Sequence, residues 1–418
     1  MTGEDLNEPG SKRQVQALRA LRHRDFRWLW VGAFLSFTGS AVQNVAQQQV
    51  VLDQTGSTLK LSMVAFAMML PVSLLGPILG VAADMFDKRK LLVACMALSS
   101  VGPLALSISM VTSSIQYWMF LAVAALAGLI QCVEVPTRQS IVRAVVDEKD
   151  LAAAIPTQAA TFNLARIIGP VVAAGLLRAG SPALCFLANG LSFSALALAA
   201  WRIKADLRPV VSRVEPVKDL VKEGFVYTFR QPTLRTLFFL EAATAVFGAF
   251  YLSQMSAITK QQLGLGVDGT AAAFTCVGVG ALAGLVTTAS VSSKPIKTTL
   301  VKCAMTGLAL CLLALSLARE PMVAYVLFAL TGAGTIMHFN VTNTLMQLVS
   351  PPNLRGRVIS MHMWAISGVA PIGVVLFGWV SERFGIPVSF QIAGACLLLL
   401  AVWGWTQGKH LVEPSIGD

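Results

Sequence analysis

The stretch Gly80-Val-Ala-Ala-Asp-Met-Phe-Asp-Lys-Arg-Lys90 decides how this chain is read. A long apolar run ends there in glycine and aspartate, and Lys88, Arg89 and Lys90 follow at once. Lysine and arginine beside a membrane helix resist translocation, so a short basic turn between two apolar runs marks a loop on the cytoplasmic side. Everything outward from this loop is consistent with a chain that crosses a membrane many times.

Hydrophobic residues make up 55% of the 418 residues and charged residues only 13%, against about 25% charged in a soluble domain. Apolar runs of about 20 residues are long enough to span hydrocarbon as helices. Twelve such runs are expected, near 27–50, 61–83, 91–112, 117–142, 152–177 and 183–202, then 234–258, 270–291, 298–317, 321–348, 357–380 and 386–407. They are too long and too uniformly apolar for the alternating strands of a closed barrel. The expected fold class is an all-α membrane protein with twelve transmembrane helices.

The distribution of the 32 lysines and arginines sets the topology. With the N-terminus inside, 26 of them fall in the N-terminal tail, the even-numbered loops and the C-terminal tail; Lys60, Arg178, Lys260, Arg319 and Arg383 lie outside, and Arg166 lies within a span. Both termini are therefore expected to be cytoplasmic, in a cell inner membrane. The net charge of +11 then reflects topology and anionic headgroups. Its dispersal over short loops speaks against a nucleic-acid surface. The seven cysteines lie in apolar runs without metal-site spacing and read as inert membrane-buried thiols. Residues 1–20 are polar and basic and contain no signal-peptide core.

Ile203–Pro232 is the one long polar segment between spans, so the expected organisation is a tail (1–26), a six-helix bundle (27–202), a cytoplasmic linker (203–232), a second six-helix bundle (233–407) and a tail (408–418). Within the linker, Val217–Phe229 has amphipathic spacing suited to the membrane surface. The halves resemble each other. Arg24-Asp-Phe-Arg27 parallels Pro232-Thr-Leu-Arg235, Asp150-Leu151 parallels Asn353-Leu354, and Gly169-Pro170 parallels Ala370-Pro371. Three matches at nearly one offset indicate parallel repeats, which place a ligand site between halves near the midplane.

The Gly80–Lys90 loop resembles the loop between the second and third helices of the major facilitator superfamily, matching at Gly80, Asp84, Lys88, Arg89 and Lys90 and departing at Met85 and Asp87. Glu134-Val-Pro-Thr-Arg-Gln139, Asn163-Leu-Ala-Arg-Ile-Ile-Gly-Pro170, Asn343-Thr-Leu-Met-Gln-Leu348 and Leu354-Arg-Gly-Arg-Val358 are similar to phrases of the exporter branch that holds the enterobactin exporter and macrolide efflux pumps. Residues 165–175 also resemble that superfamily's antiporter signature at Gly169 and Pro170, with alanines at 165, 173 and 174 where the pattern has glycines. The resemblance implies alternating access between two pseudo-symmetric bundles and export of a siderophore-like metabolite or hydrophobic drug, with inward protons as the coupling partner and a monomer as the working unit. Lysophospholipid transporters share much of the pattern and stay open as an alternative.

Ionisable groups inside membrane spans are costly and mark functional candidates. Glu134 and Arg166 lie at similar depth by residue count, about 20 and 24 Å from the cytoplasmic turn, and could pair and exchange a proton; Arg138, one helical turn from Glu134, is the competing partner. His338 and Glu241 are further proton-coupling candidates, each with a bland reading as a bonded or interfacial group. Gln43, Asn44, Gln47 and Gln48 form a polar stripe on the first span, which faces either a cavity or a neighbouring helix. Gln43, Asn44 and Gln47, with Asn163, Asn340 and Asn343, are the candidates for the substrate cavity. Gly80, Asp84, Lys88, Arg89 and Arg138 are the expected cytoplasmic gate. There is no phosphate loop for direct ATP drive, Gly278-Val-Gly280 with Gly284 reads as helix packing, and no catalytic, cofactor or metal constellation emerges. A sensor, a scaffold or a passive channel would share the helices without alternating turnover.

Overall fold

The computed structural model describes residues 19–83, 85–208, 217–291 and 296–407. The first half contains α1 (Arg24–Thr55), α2 (Thr58–Ala83), α3 (Lys88–Val111), α4 (Tyr117–Ala144), α5 (Leu151–Ala179) and α6 (Pro182–Arg202). A linker helix, α7 (Val217–Arg230), precedes α8 (Pro232–Gly248), α9 (Val267–Val291), α10 (Lys297–Leu317), α11 (Pro321–Val349), α12 (Arg355–Ser367), α13 (Ala370–Phe384) and α14 (Ile386–Thr406). Eleven membrane-length apolar spans are found among the described residues, with α12 and α13 together forming one of them. The twelfth is α1, 32 residues long, whose glutamine and asparagine stripe dilutes its apolar character. The chain is a multi-pass membrane protein.

Local chemistry starts and stops these helices where the sequence allows. Asp87, one of the departures from the loop pattern, caps α3: its carboxylate accepts from the Lys90 amide at 3.0 Å. Proline opens α6, α8 and α11, where its missing N–H has no helical partner to lose. Gly56, at φ 63°, closes α1 in the left-handed conformation that glycine adopts without strain. Two spans read as continuous are broken. The eighth helix stops at Gly248 and continues through a 3-10 turn at Phe250–Ser253 to a π turn at Ile258–Gln262. The eleventh span divides between Ser367 and Ala370, because Pro371 begins a new helix and cannot donate back to the one before it.

Packing repeats across the halves. In the first, α1 packs on α5 and α6, α3 on α4 and α6, and α2 on α4. The counterparts recur in the second: α8 on α12, α13 and α14, α10 on α11 and α14, and α9 on α11. The halves meet along two seams, α2 against α13 and α5 against α9. Small residues let the backbones close: a Cβ at Gly128 would collide with the Met68 carbonyl, and its counterpart at Gly332 would meet that of Val277. The Gly278–Gly284 run is packing, with Gly280 and Gly284 against Ala329 and Ala333 and Gly278 against the Arg166 backbone and the Ile167 side chain of α5. Gly280→Val is expected to lower the melting temperature in detergent through overpacking of about 1–3 kcal/mol. Gly76→Val, at a position with open space around it, is expected to change it little.

The α7 helix forms as expected, with the side chains of Val217–Val221 outside the described residues. It leans on α12 through an ion pair between Glu223 and Arg357. Phe229 contacts Phe225, Phe238 and Phe239, and Phe238 stacks on Trp364, which joins α7, α8 and α12 in one aromatic cluster. Phe225 and Val226 stay exposed on the outer face, consistent with a membrane-surface helix.

Candidate functional site

A cavity of about 460 Å³ opens in the first half against the seam. This is within the usual range for small-molecule sites. Its walls are α1, α3, α4, α5 and α6, with Met68 of α2 and, from the second half, Leu252 and Phe274. Gln43, Asn44 and Gln47 line it, together with Ser36 and Ser40 one or two turns earlier on α1. The stripe divides by direction. Gln48 is buried in the seam, where its Nε2 donates to the Leu252 carbonyl at 2.8 Å and its Oε1 accepts from the Ser256 amide at 3.3 Å. Gln43 is steadied from α6, with Asn189 donating to its Oε1 at 2.6 Å, which leaves an oriented row of amides facing the cavity.

The cavity's single carboxylate is Glu134, whose Oε1 accepts from Arg138 Nε at 2.6 Å. The depth argument favoured Arg166, but the one-turn neighbour forms the pair, because i,i+4 side chains share a helix face. Arg138 also lies 4.8 Å from the centroid of the Phe37 ring, which itself lines the cavity. Arg166 lines the cavity beside them, 5.7 Å from the Phe162 ring, and Phe162 meets Phe37 edge-on at 5.5 Å. Among the described residues Arg166 forms no ion pair. One acid, two guanidiniums and two aromatic rings thus form a compact cluster at the cavity wall.

The other candidates fall elsewhere. Asn163 is buried, bonds the Ala159 carbonyl of its own helix at 3.1 Å and does not line the cavity. Asn340 and Asn343 lie outside it as well; Asn343 accepts from Gln347 at 2.8 Å. Gly169 packs α5 against Ala41 and Thr38 of α1, while Pro170 lines the cavity. Asp84 lies outside the described residues, and so do the side-chain surroundings of Gly80. The Lys88 amide donates to the Leu207 carbonyl at 3.0 Å and Arg89 to the Ala205 carbonyl at 2.9 Å, which ties this loop to the segment after α6 within the same half. Glu241 and His338 are both fully buried in the second half, away from the cavity. His362, which sequence reasoning passed over, lies against Glu241.

Polar contacts between the halves gather at one end of the bundle. Asp53 pairs with Lys260 at 2.6 Å and Arg178 with Asp268 at 2.8 Å, and Glu382 accepts from the Thr58 amide at 2.8 Å. The Gln48 bonds add to the same seal. Nearer the middle, Ser73 donates to the Ser367 carbonyl left free by the break between α12 and α13, at 2.8 Å. The cavity is thus closed toward the end that holds the α1–α2 and α13–α14 turns.

At the opposite end, His23 Nε2 lies 3.0 Å from Asp150 Oδ2, joining the starts of α1 and α5. This hydrogen bond holds the Asp150 carboxyl below its ordinary value. A depressed carboxylate adds stability above its unfolded pKa and loses it as pH falls through the folded one. Asp150→Asn is therefore expected to melt below the parent at neutral pH, with the gap closing below about pH 4. Melting curves of both proteins across that range test it.

The whole architecture has counterparts. The family model described as "Transmembrane secretion effector" matches residues 15–408. The chain belongs to this family of major facilitator transporters. Macrolide efflux protein A of Streptococcus pyogenes is 22% identical over 386 residues, covering 90% of this chain and 94% of that one. Multidrug efflux pump Tap of Mycolicibacterium fortuitum is 24% identical, covering 88% and 92%. An uncharacterized MFS-type transporter, YfiS of Bacillus subtilis, is 25% identical, covering 85% and 86%. The fold matches solved transporters: a bacterial homologue of the lysosomal transporter Spinster (TM-score 0.72, 14% identity, 93% of this chain and 97% of that one) and the nucleoside transporter NupG (0.74, 11%, 92% and 99%).

Proposed function

We propose that this transporter exports an amphipathic small molecule, a hydrophobic drug or siderophore-like metabolite, by alternating access in exchange for protons. The observation that carries this reading is the cavity itself. It presents an amide row and an acid–guanidinium cluster together with the apolar surfaces of Phe37, Phe162, Phe274 and Leu252, and it is sealed at one end by bonds between the halves. Amides bind polar groups of either hydrogen-bonding sense without demanding a charge, and the rings and aliphatic side chains take an apolar body. Glu134 supplies a carboxylate that a proton and the ligand can compete for. The efflux relatives favour the outward direction. With the linker and the basic loops facing the cytoplasm of an inner membrane, the sealed end faces out and the state is open inward.

Purified protein in liposomes containing a pH-sensitive dye tests this. With a proton gradient imposed, a macrolide is expected to evoke proton movement that empty liposomes lack. Absence of evoked flux, with labelled lysophospholipid crossing instead, would overturn both the substrate class and the coupling.

A further inference from the structure

Glu241 on α8 and His362 on α12 are 0% and 3% exposed at the side chain, and His362 Nδ1 lies 2.7 Å from Glu241 Oε1. Glu241 Oε2 has no hydrogen-bond partner. His338 on α11 lies close enough to His362 for their charges to interact. Its Nδ1 is 3.2 Å from the Val301 carbonyl of α10, and the Leu240 carbonyl, next to Glu241, also lies against its ring. The hydroxyl of Thr342, one turn further on α11, is buried without a partner. A carboxylate and two imidazoles are thus enclosed together in apolar surroundings with hydrogen-bonding capacity unused. Such groups are expensive to bury and are normally satisfied.

Charges on the surrounding elements are directed elsewhere. Arg357 pairs with Glu223, Arg355 bonds the Gln347 carbonyl and Lys302 lies over the Trp405 ring. Lys297, at the start of α10, has an interaction of its own. Arg235 and Arg230 are exposed, Tyr227 is on α7, Cys303 and Cys311 are on α10, Cys396 is on α14, and Glu382 and Arg383 sit at the far end of α13. His362 is the titratable group directly against Glu241.

We propose that Glu241, His362 and His338 form a proton-binding site of the second half, whose occupancy is transmitted to the seam through α12. The pair gains or loses one proton between carboxylate–imidazole and carboxylic acid–imidazole. Each change alters the attraction between α8 and α12. Depth fits exchange from the linker end: Glu241 is about 14 Å into α8 and His362 about 10 Å into α12 at 1.5 Å per residue. Transmission fits too. His362 lies five residues before Ser367, whose carbonyl holds Ser73 of α2 across the seam. The site is separate from the Glu134 cavity and does not depend on the exported molecule.

The full chain in lipid nanodiscs tests this without substrate. Infrared spectra taken from about pH 5 to 8, the range in which imidazole titrates, are expected to contain a protonated-carboxyl band that is lost in Glu241→Gln. The band should persist in Glu241→Asp at a shifted position and titrate with a moved midpoint in His362→Gln. Spin labels at Gly76 and Gly356, both with open space at the Cβ and introduced after replacement of the native cysteines, should report an α2–α12 distance that changes with pH in the parent and not in Glu241→Gln. A titrating band unchanged in Glu241→Gln, or a seam distance that still responds to pH in that variant, would overturn the proposal. Glu241→Asp keeps the test open if the glutamine variant does not fold.

Discussion

Glu134→Gln is expected to reduce macrolide-evoked proton flux at least about tenfold, equivalent to 1.4 kcal/mol or more of coupling, while the protein still inserts and folds. Glutamine keeps an oxygen to accept from Arg138 at the 2.6 Å now bridged by the carboxylate, so the buried guanidinium retains a hydrogen bond. What disappears is the group that can carry a proton. Truncation to alanine would be a poorer test, since removing one partner of a buried pair costs about 3–5 kcal/mol and confounds folding with function. Arg166 provides the internal comparison. It lines the same cavity without an ion pair among the described residues, so Arg166→Gln should change apparent ligand affinity more than proton stoichiometry. Proton flux in Glu134→Gln equal to that of the parent would remove this carboxylate from the coupling scheme.

Locking the sealed end should have an effect as large. With the native cysteines replaced, Asp53→Cys and Lys260→Cys can be joined by a short reducible cross-linker. Transport is then expected to fall to the background of empty liposomes and to return on reduction. The lost ion pair is not the cause, because both side chains are about half exposed and such surface pairs contribute about 0–1 kcal/mol. The uncross-linked double variant should therefore transport. Alternating access requires this end to open once per cycle, whereas a passive channel would conduct unaffected while cross-linked. Flux surviving the cross-link would sink the alternating-access reading.

Span positions and the repeat were legible because both depend on local quantities: the length of an apolar run and the residues that start and stop a helix. Asp87 illustrates the limit of pattern matching. It departs from the loop motif, yet its carboxylate accepts from the amide three residues on and so caps the helix. The Glu134–Arg138 pair was legible as one of two options, since i,i+4 spacing guarantees proximity, while counting depth along α4 and α5 said nothing about rotation around their axes. Asn340 and Asn343 were candidates as polar groups within a span, and in this state the cavity wall belongs to the first half, with Leu252 and Phe274 as the second half's share.

Sequence alone determined that this chain crosses the membrane about a dozen times in two related halves, because burial in hydrocarbon imposes a length and a polarity on each segment by itself. Tertiary structure alone decided how the α1 stripe divides. Gln43, Asn44 and Gln47 face the cavity and Gln48 the seam, since adjacent positions on a helix point about 100° apart. It alone brought His362 to Glu241. A lone histidine has no local signature, and its partner is set by the way α12 packs on α8, a contact written in no single stretch of the chain.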